Sequence, residues 1–185
     1  FMHHYGGGYS DIKSQTGSWK PLFDKLNADE NIWMIGVNVP PDGVRRGIAY
    51  PYKIDEKRRK KYDPYWKQTL QEHRLKIVGI SFMICRPRTP FTTDWYNGML
   101  KMLDEYMPRL QKHPAVYSRE SYDRPPAKWC KDEKDPRIKA MPCPTKPTEY
   151  PLVWSQFNQI IMPLQVKYID HVQSGLPPPI LSGYA

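Results

Sequence analysis

His4-Tyr5-Gly6-Gly7-Gly8-Tyr9-Ser10-Asp11-Ile12-Lys13, followed by Thr16-Gly17-Ser18-Trp19, is the stretch around which the rest of the chain reads as scaffold. Three consecutive glycines allow positive φ and let a ligand come close to the backbone. Tyr9 to Lys13 has short-strand chemistry and ends in two opposite charges. Alternation along a strand puts Asp11 and Lys13 on one face, where both can address a polar ligand such as a diphosphate-sugar. The same string also suits an ordinary tight turn between a helix and a strand.

The run Tyr5-Gly6-Gly7-Gly8-Tyr9-Ser10-Asp11 resembles the Tyr-Gly-Gly-x-Tyr-x-Asp-x-Asp signature of the DxD-type glycosyltransferases. That family includes mannosyltransferases of the yeast type and many viral and bacterial sugar transferases. The resemblance implies an α/β, GT-A-like nucleotide-sugar transferase fold with a mixed central sheet, the motif lying between a helix end and a strand start. It further implies a nucleotide-sugar donor and a glycan, lipid or protein acceptor. Gly6, Gly7, Gly8, Tyr9, Asp11 and Lys13 are then the donor-binding positions. Asp11 falls on the first aspartate of the signature, the position that meets Mn²⁺ or Mg²⁺, whereas Lys13 stands where the second is expected. A lysine there offsets diphosphate charge as a point cation, in place of part of what the metal supplies, or marks the loss of transfer. Tyr150-Pro151-Leu152-Val153-Trp154 and the order of elements also look like relatives in this group. The family carries a first nucleotide-binding strand upstream of the motif, so the chain reads as an N-terminally truncated domain.

With 185 residues, 39% of them hydrophobic, the chain can build one domain with its own core, here taken as 1–185. No run approaches the ~18 apolar residues of a membrane span, and no charged-then-apolar leader opens the chain. The formal charge of +9 suits a polyanion, whether a nucleotide-sugar diphosphate, an anionic membrane surface or nucleic acid. Lys57-Arg58-Arg59-Lys60-Lys61, beside Tyr62, Tyr65 and Trp66, is the densest basic run. Interleaved aromatics and cations serve single-stranded nucleic-acid binders, and the same run also suits a solvated basic loop or a phosphate contact. A second function therefore stands beside the transferase: a non-catalytic, transferase-derived scaffold holding RNA or another anionic polymer. Cys85, Cys130 and Cys143 lack the Cys-x-x-Cys spacing of a zinc site. Cys85 lies in an apolar run and is expected to be buried; Cys130 and Cys143 can pair under oxidising conditions or remain reduced surface thiols. A cytoplasmic or membrane-peripheral protein is expected.

Outward from the motif, Ser18 caps a helix with Pro21 in its first turn and Leu22, Phe23 and Leu26 on its apolar face, ending near Asn27. Asn31–Val39 reads as a strand, Gly47–Tyr52 as an edge strand and Pro64–Glu72 as a helix. Leu75–Arg86 is the most apolar run, a central strand with a bend or bulge at Gly79. The following helix, capped at Thr92, Thr93 or Asp94, carries Trp95, Met99, Met102, Leu103, Tyr106 and Leu110 on one face and is expected to stop or kink around Tyr106, ahead of Pro108. The segment 114–151 is Pro-rich and reads as a lid over donor or acceptor, or as an inert insertion. Trp129 within it stacks on a sugar if exposed and pins the loop if buried. Val153–Ile161 reads as an amphipathic helix interrupted at Pro163, where a second helix begins and runs through His171. Gly175–Ile180 reads as a polyproline-like tail. Trp19, Trp129, Trp154 and Asn158 are the candidate sugar or acceptor contacts. His3, His4, His113 and His171 are candidate bases or structural histidines.

Overall fold

The structure, a computed structural model, describes residues 1–11, 14–38, 72–73, 76–114 and 154–180, the last with side chains from 160 onward. Among the described residues, four helices, α1 (Met2–Tyr5), α2 (Lys20–Ala28), α3 (Pro90–Lys112) and α4 (Trp154–Lys167), accompany four strands, β1 (Gly7–Ser10), β2 (Met34–Asn38), β3 (Val78–Cys85) and β4 (Val172–Leu176). A 3₁₀ turn, Ile169–His171, leads into β4. The strands form one mixed sheet in the order β1-β3-β2-β4. β3 runs antiparallel to both β1 and β2, and β2 runs parallel to β4. β1, β2 and β4 therefore point the same way and bring their carboxyl ends to one end of the sheet.

Side-chain alternation distributes the core to both faces, which is why the two central strands, β2 and β3, are apolar at nearly every position. Met34, Val78, Met83, Cys85 and Val172 face Phe91 of α3 and Ile161 and Met162 of α4. Ile35, Val37, Phe82, Ile84 and Leu176 face Leu26, with Trp19, Leu22 and Phe23 packed beside it. The described residues thus form an α/β structure with a mixed central sheet, as expected from the sequence, and the sheet is covered on both sides.

The bulge expected at Gly79 is present. β2 pairs Gly36 with Met83 but its next residue, Val37, with Gly79, so three residues of β3 loop out of register; on the other side β4 skips Gly175, at φ 136°. A Cβ on Gly36 would lie 2.5 Å from Val78 Cγ2 and 2.8 Å from the Gly79 carbonyl oxygen. Only glycine lets the two strands approach this closely there.

Several expectations are corrected. The helix α3 is capped by Thr89, three residues before the expected cap: the Thr89 and Thr92 side chains each accept from the other's backbone N–H, and Pro90 occupies the first turn. It also runs through Pro108 to Lys112. One lost hydrogen bond in an exposed turn is offset by the turn beyond it, closed by His113 N–H donating to Arg109 O at 2.8 Å. In α4, Pro163 does not interrupt the helix, because buried Ile161, Met162 and Gln165 hold the segment to the sheet on both sides of it. Gln165 pairs with the Val78 backbone in both directions, Nε2 donating to its carbonyl and Oε1 accepting from its N–H. The helix expected to run through His171 ends at Lys167 and gives way to the 3₁₀ turn, and β4 then takes up Gly175 and Leu176, where a polyproline-like tail was expected; pairing with β2 overrides the weak local pattern. Ser18 sits one residue outside α2, whose cap position is Trp19, although Ser18 Oγ accepts from Lys20 N–H. The edge strand at 47–52, most of the helix at 64–72, the basic run Lys57–Lys61, the Pro-rich segment 115–151, Cys130 and Cys143 lie outside the described residues.

Candidate functional site

The glycine string is mostly strand. Gly6, at φ 64°, closes α1, while Gly7 and Gly8 pair with Cys85 and Ile84 in β1. A Cβ on Gly6 would meet Pro87 Cδ at 2.6 Å and the Cys85 oxygen at 2.7 Å, and one on Gly8 would lie 3.0 Å from Trp19 Cζ3. The close approaches these two glycines permit are to the chain's own atoms. Gly7, at φ 87°, has nothing within 4 Å of its Cβ direction.

Asp11 follows the last residue of β1, at the end of the sheet where the carboxyl ends of β1, β2 and β4 gather. Its N–H continues the ladder by donating to Ser81 O at 2.8 Å, in the bulged part of β3. Its carbonyl accepts from Ser10 Oγ at 2.6 Å. Its carboxylate accepts from the Tyr9 hydroxyl at 2.8 Å. Residues two apart on a strand share a side, which is why Tyr9 reaches it. Burial, the hydrogen bond to Asp11 and that carboxylate's charge all raise the Tyr9 pKa above that of an ordinary phenol, so the hydroxyl remains a donor at neutral pH.

The rest of the expected site is dispersed. Trp19 is half-buried against Phe82, ring centroids 5.4 Å apart, beneath Gly8 on the α2 face. Trp154 and Asn158 belong to α4, which covers the opposite face, and their side chains are outside the described residues, as are Lys13 and Trp129. His171 stacks on Trp33 at 3.6 Å and 4°, with Nδ1 2.7 Å from Asn31 O, at the amino ends of β2 and β4. His3 stacks on Tyr96 at 5.0 Å and lies in α1, ahead of β1. Both are therefore held by aromatic packing at the end of the sheet away from Asp11. Among the described residues no group of three or more His, Cys, Asp or Glu is placed to hold a metal ion. A cation at Asp11 would therefore take its remaining ligands from the substrate or from beyond the described residues, as Mg²⁺ does when one carboxylate and substrate phosphates share it.

The Tyr9–Asp11 contact and the Ser81 anchor were absent from the sequence reading. Period-two alternation alone pairs Tyr9 with Asp11; Ser81 carries no sequence signal, since its role comes from a backbone carbonyl exposed by the bulge. No family model, curated protein or solved structure matches the chain. Among the described residues no helix is long and apolar enough to cross a membrane.

Proposed function

We propose that the chain is a glycosyltransferase domain that moves a sugar from a nucleotide-sugar donor to a glycan, lipid or protein acceptor, with a GT-A-like arrangement about the described sheet. The observation that carries this reading is Asp11, a carboxylate fixed through its N–H, its carbonyl and one carboxylate oxygen just beyond the carboxyl end of β1. Open α/β sheets take ligands at the carboxyl ends of their strands. The signature resemblance of Tyr5 to Asp11 supports the same end of the sheet.

In this reading Asp11 meets the donor, either through sugar or ribose hydroxyls or by holding Mn²⁺ or Mg²⁺ together with the diphosphate oxygens. The cation would supply charge neutralisation for the departing diphosphate. Lys13, two residues on, brings a second positive charge to the same stretch, and the net charge of +9 favours an anionic donor over a neutral one. The fixed backbone of Asp11 means that little ordering is needed when the donor binds.

Calorimetric titration of the chain and of Asp11→Ala with UDP- and GDP-sugars, with and without Mn²⁺, tests the proposal. The expected outcome is donor binding by the native chain and a loss of at least tenfold in the variant. Equal affinity in the two proteins, or no binding by either, overturns it.

A further inference from the structure

Tyr9 is 38% exposed, yet its hydroxyl is committed to the Asp11 carboxylate. A surface aspartate ordinarily samples several staggered rotamers, and a ligand that needs one of them must freeze the rest. Here the main chain of Asp11 is already held by Ser81 and Ser10, and the Tyr9 hydroxyl is one of the partners that fix its carboxylate. A charge-assisted hydrogen bond of this kind is among the stronger ones a side chain makes.

We propose that Tyr9 is a positioning residue whose hydroxyl holds the Asp11 carboxylate in the orientation that meets the donor, so that Tyr9 acts on the ligand through Asp11 and not by stacking its ring on the sugar. This rests on the reading of Asp11 as a donor-site residue. The competing role for an exposed tyrosine is a ring platform, which a phenylalanine would serve equally well.

Tyr9→Phe keeps the ring and removes the hydroxyl. Titrated with UDP- and GDP-sugars in the presence of Mn²⁺, it is expected to bind donor about tenfold more weakly than the native chain, at a nearly unchanged melting temperature. A second measurement is independent of any donor. With carbon-labelled aspartate, the Asp11 carboxylate resonance should shift between the native chain and Tyr9→Phe, as loss of the hydroxyl's hydrogen bond requires. Native affinity in Tyr9→Phe, with binding lost in Asp11→Ala, overturns the role of Tyr9 and leaves the Asp11 reading standing. An Asp11 carboxylate resonance unmoved in Tyr9→Phe overturns the pairing whatever the affinities. Failure of the native chain to bind any donor overturns both readings.

Discussion

Cys85 shows what enclosure does to a reactive group. It lies at the end of β3 among Met34, Met83, Phe91 and Val172, and burial pushes its thiol up to about 12. The thiolate is the nucleophile, so at pH 8 the folded chain should leave Cys85 unalkylated by iodoacetamide, and peptide mapping should find it modified only after guanidinium unfolding. Modification at the same rate in both states would sink this. The linkage has a definite sign: the folded pKa lies above the unfolded value near 9, so the contribution to stability is complete below about pH 9 and is lost as pH rises through about 12. Burial of Cys85 was legible because an apolar run surrounds it. Asp11 was legible through its motif, but its partners were not: Trp19, picked out as a sugar contact, became packing for Gly8 and Phe82 once the sheet formed. Single residues read well where their neighbours in sequence are also their neighbours in space.

Among the elements, α3 was read correctly in its stripe and wrongly at both ends. Met102 is buried and Trp95, Met99, Leu103, Tyr106 and Leu110 are half-buried, as the three-and-four spacing requires. Its start was missed because the cap was sought at Thr92, Thr93 or Asp94, whereas Thr89-Pro90 with a second threonine three positions after the first is a cap followed by its first turn. Its end was missed because proline was weighed against one turn alone. Pro108 deprives the Asp104 carbonyl of its N–H donor on an exposed part of the helix. Pro108→Ala restores that bond and removes the ring's clash with the preceding turn, at the expense of a more flexible unfolded chain. The expected balance is a gain of roughly 2 kcal/mol, a rise in Tm of about 4–8 °C for a chain of this size. A Tm that falls would mean that the proline's restriction of the unfolded chain outweighs the lost hydrogen bond. The strand β4 had no such local signature: Gln173, Ser174 and Gly175 are poor strand formers, and only pairing with β2 makes them one.

At the scale of the whole molecule, two faces of one sheet must be covered by segments far apart in the chain, and polar contacts as well as apolar ones set how those segments meet. The bulge shared by Gly36, Gly79 and Gly175 turns the middle of the sheet, and the helices α3 and α4 lie side by side on the Phe91 face. They are tied by Asp94, in the second turn of α3, which accepts from Lys167 Nζ at 2.6 Å and from the Tyr168 hydroxyl at 2.7 Å at the end of α4. Each charge also suits the dipole of its own helix, negative near an amino end and positive near a carboxyl end. No local pattern announces a contact across 73 positions, so this tie was invisible in the sequence. The hydrogen bonds from Lys167 and then Tyr168 hold the Asp94 carboxyl below the usual range for aspartate. A lowered folded pKa contributes stability that is complete above the unfolded value, near 3.8, and is lost as pH falls through the folded one. Asp94→Asn should therefore be less stable than the native chain in urea at pH 7, and the gap should narrow steadily once the pH drops below the ordinary carboxylate range. Because the pair is partly exposed, the gap at pH 7 should also shrink in high salt. A gap of equal size at neutral and acid pH would show that Asp94 joins the two helices by shape alone, and the charge would then have no part in holding that face of the sheet closed.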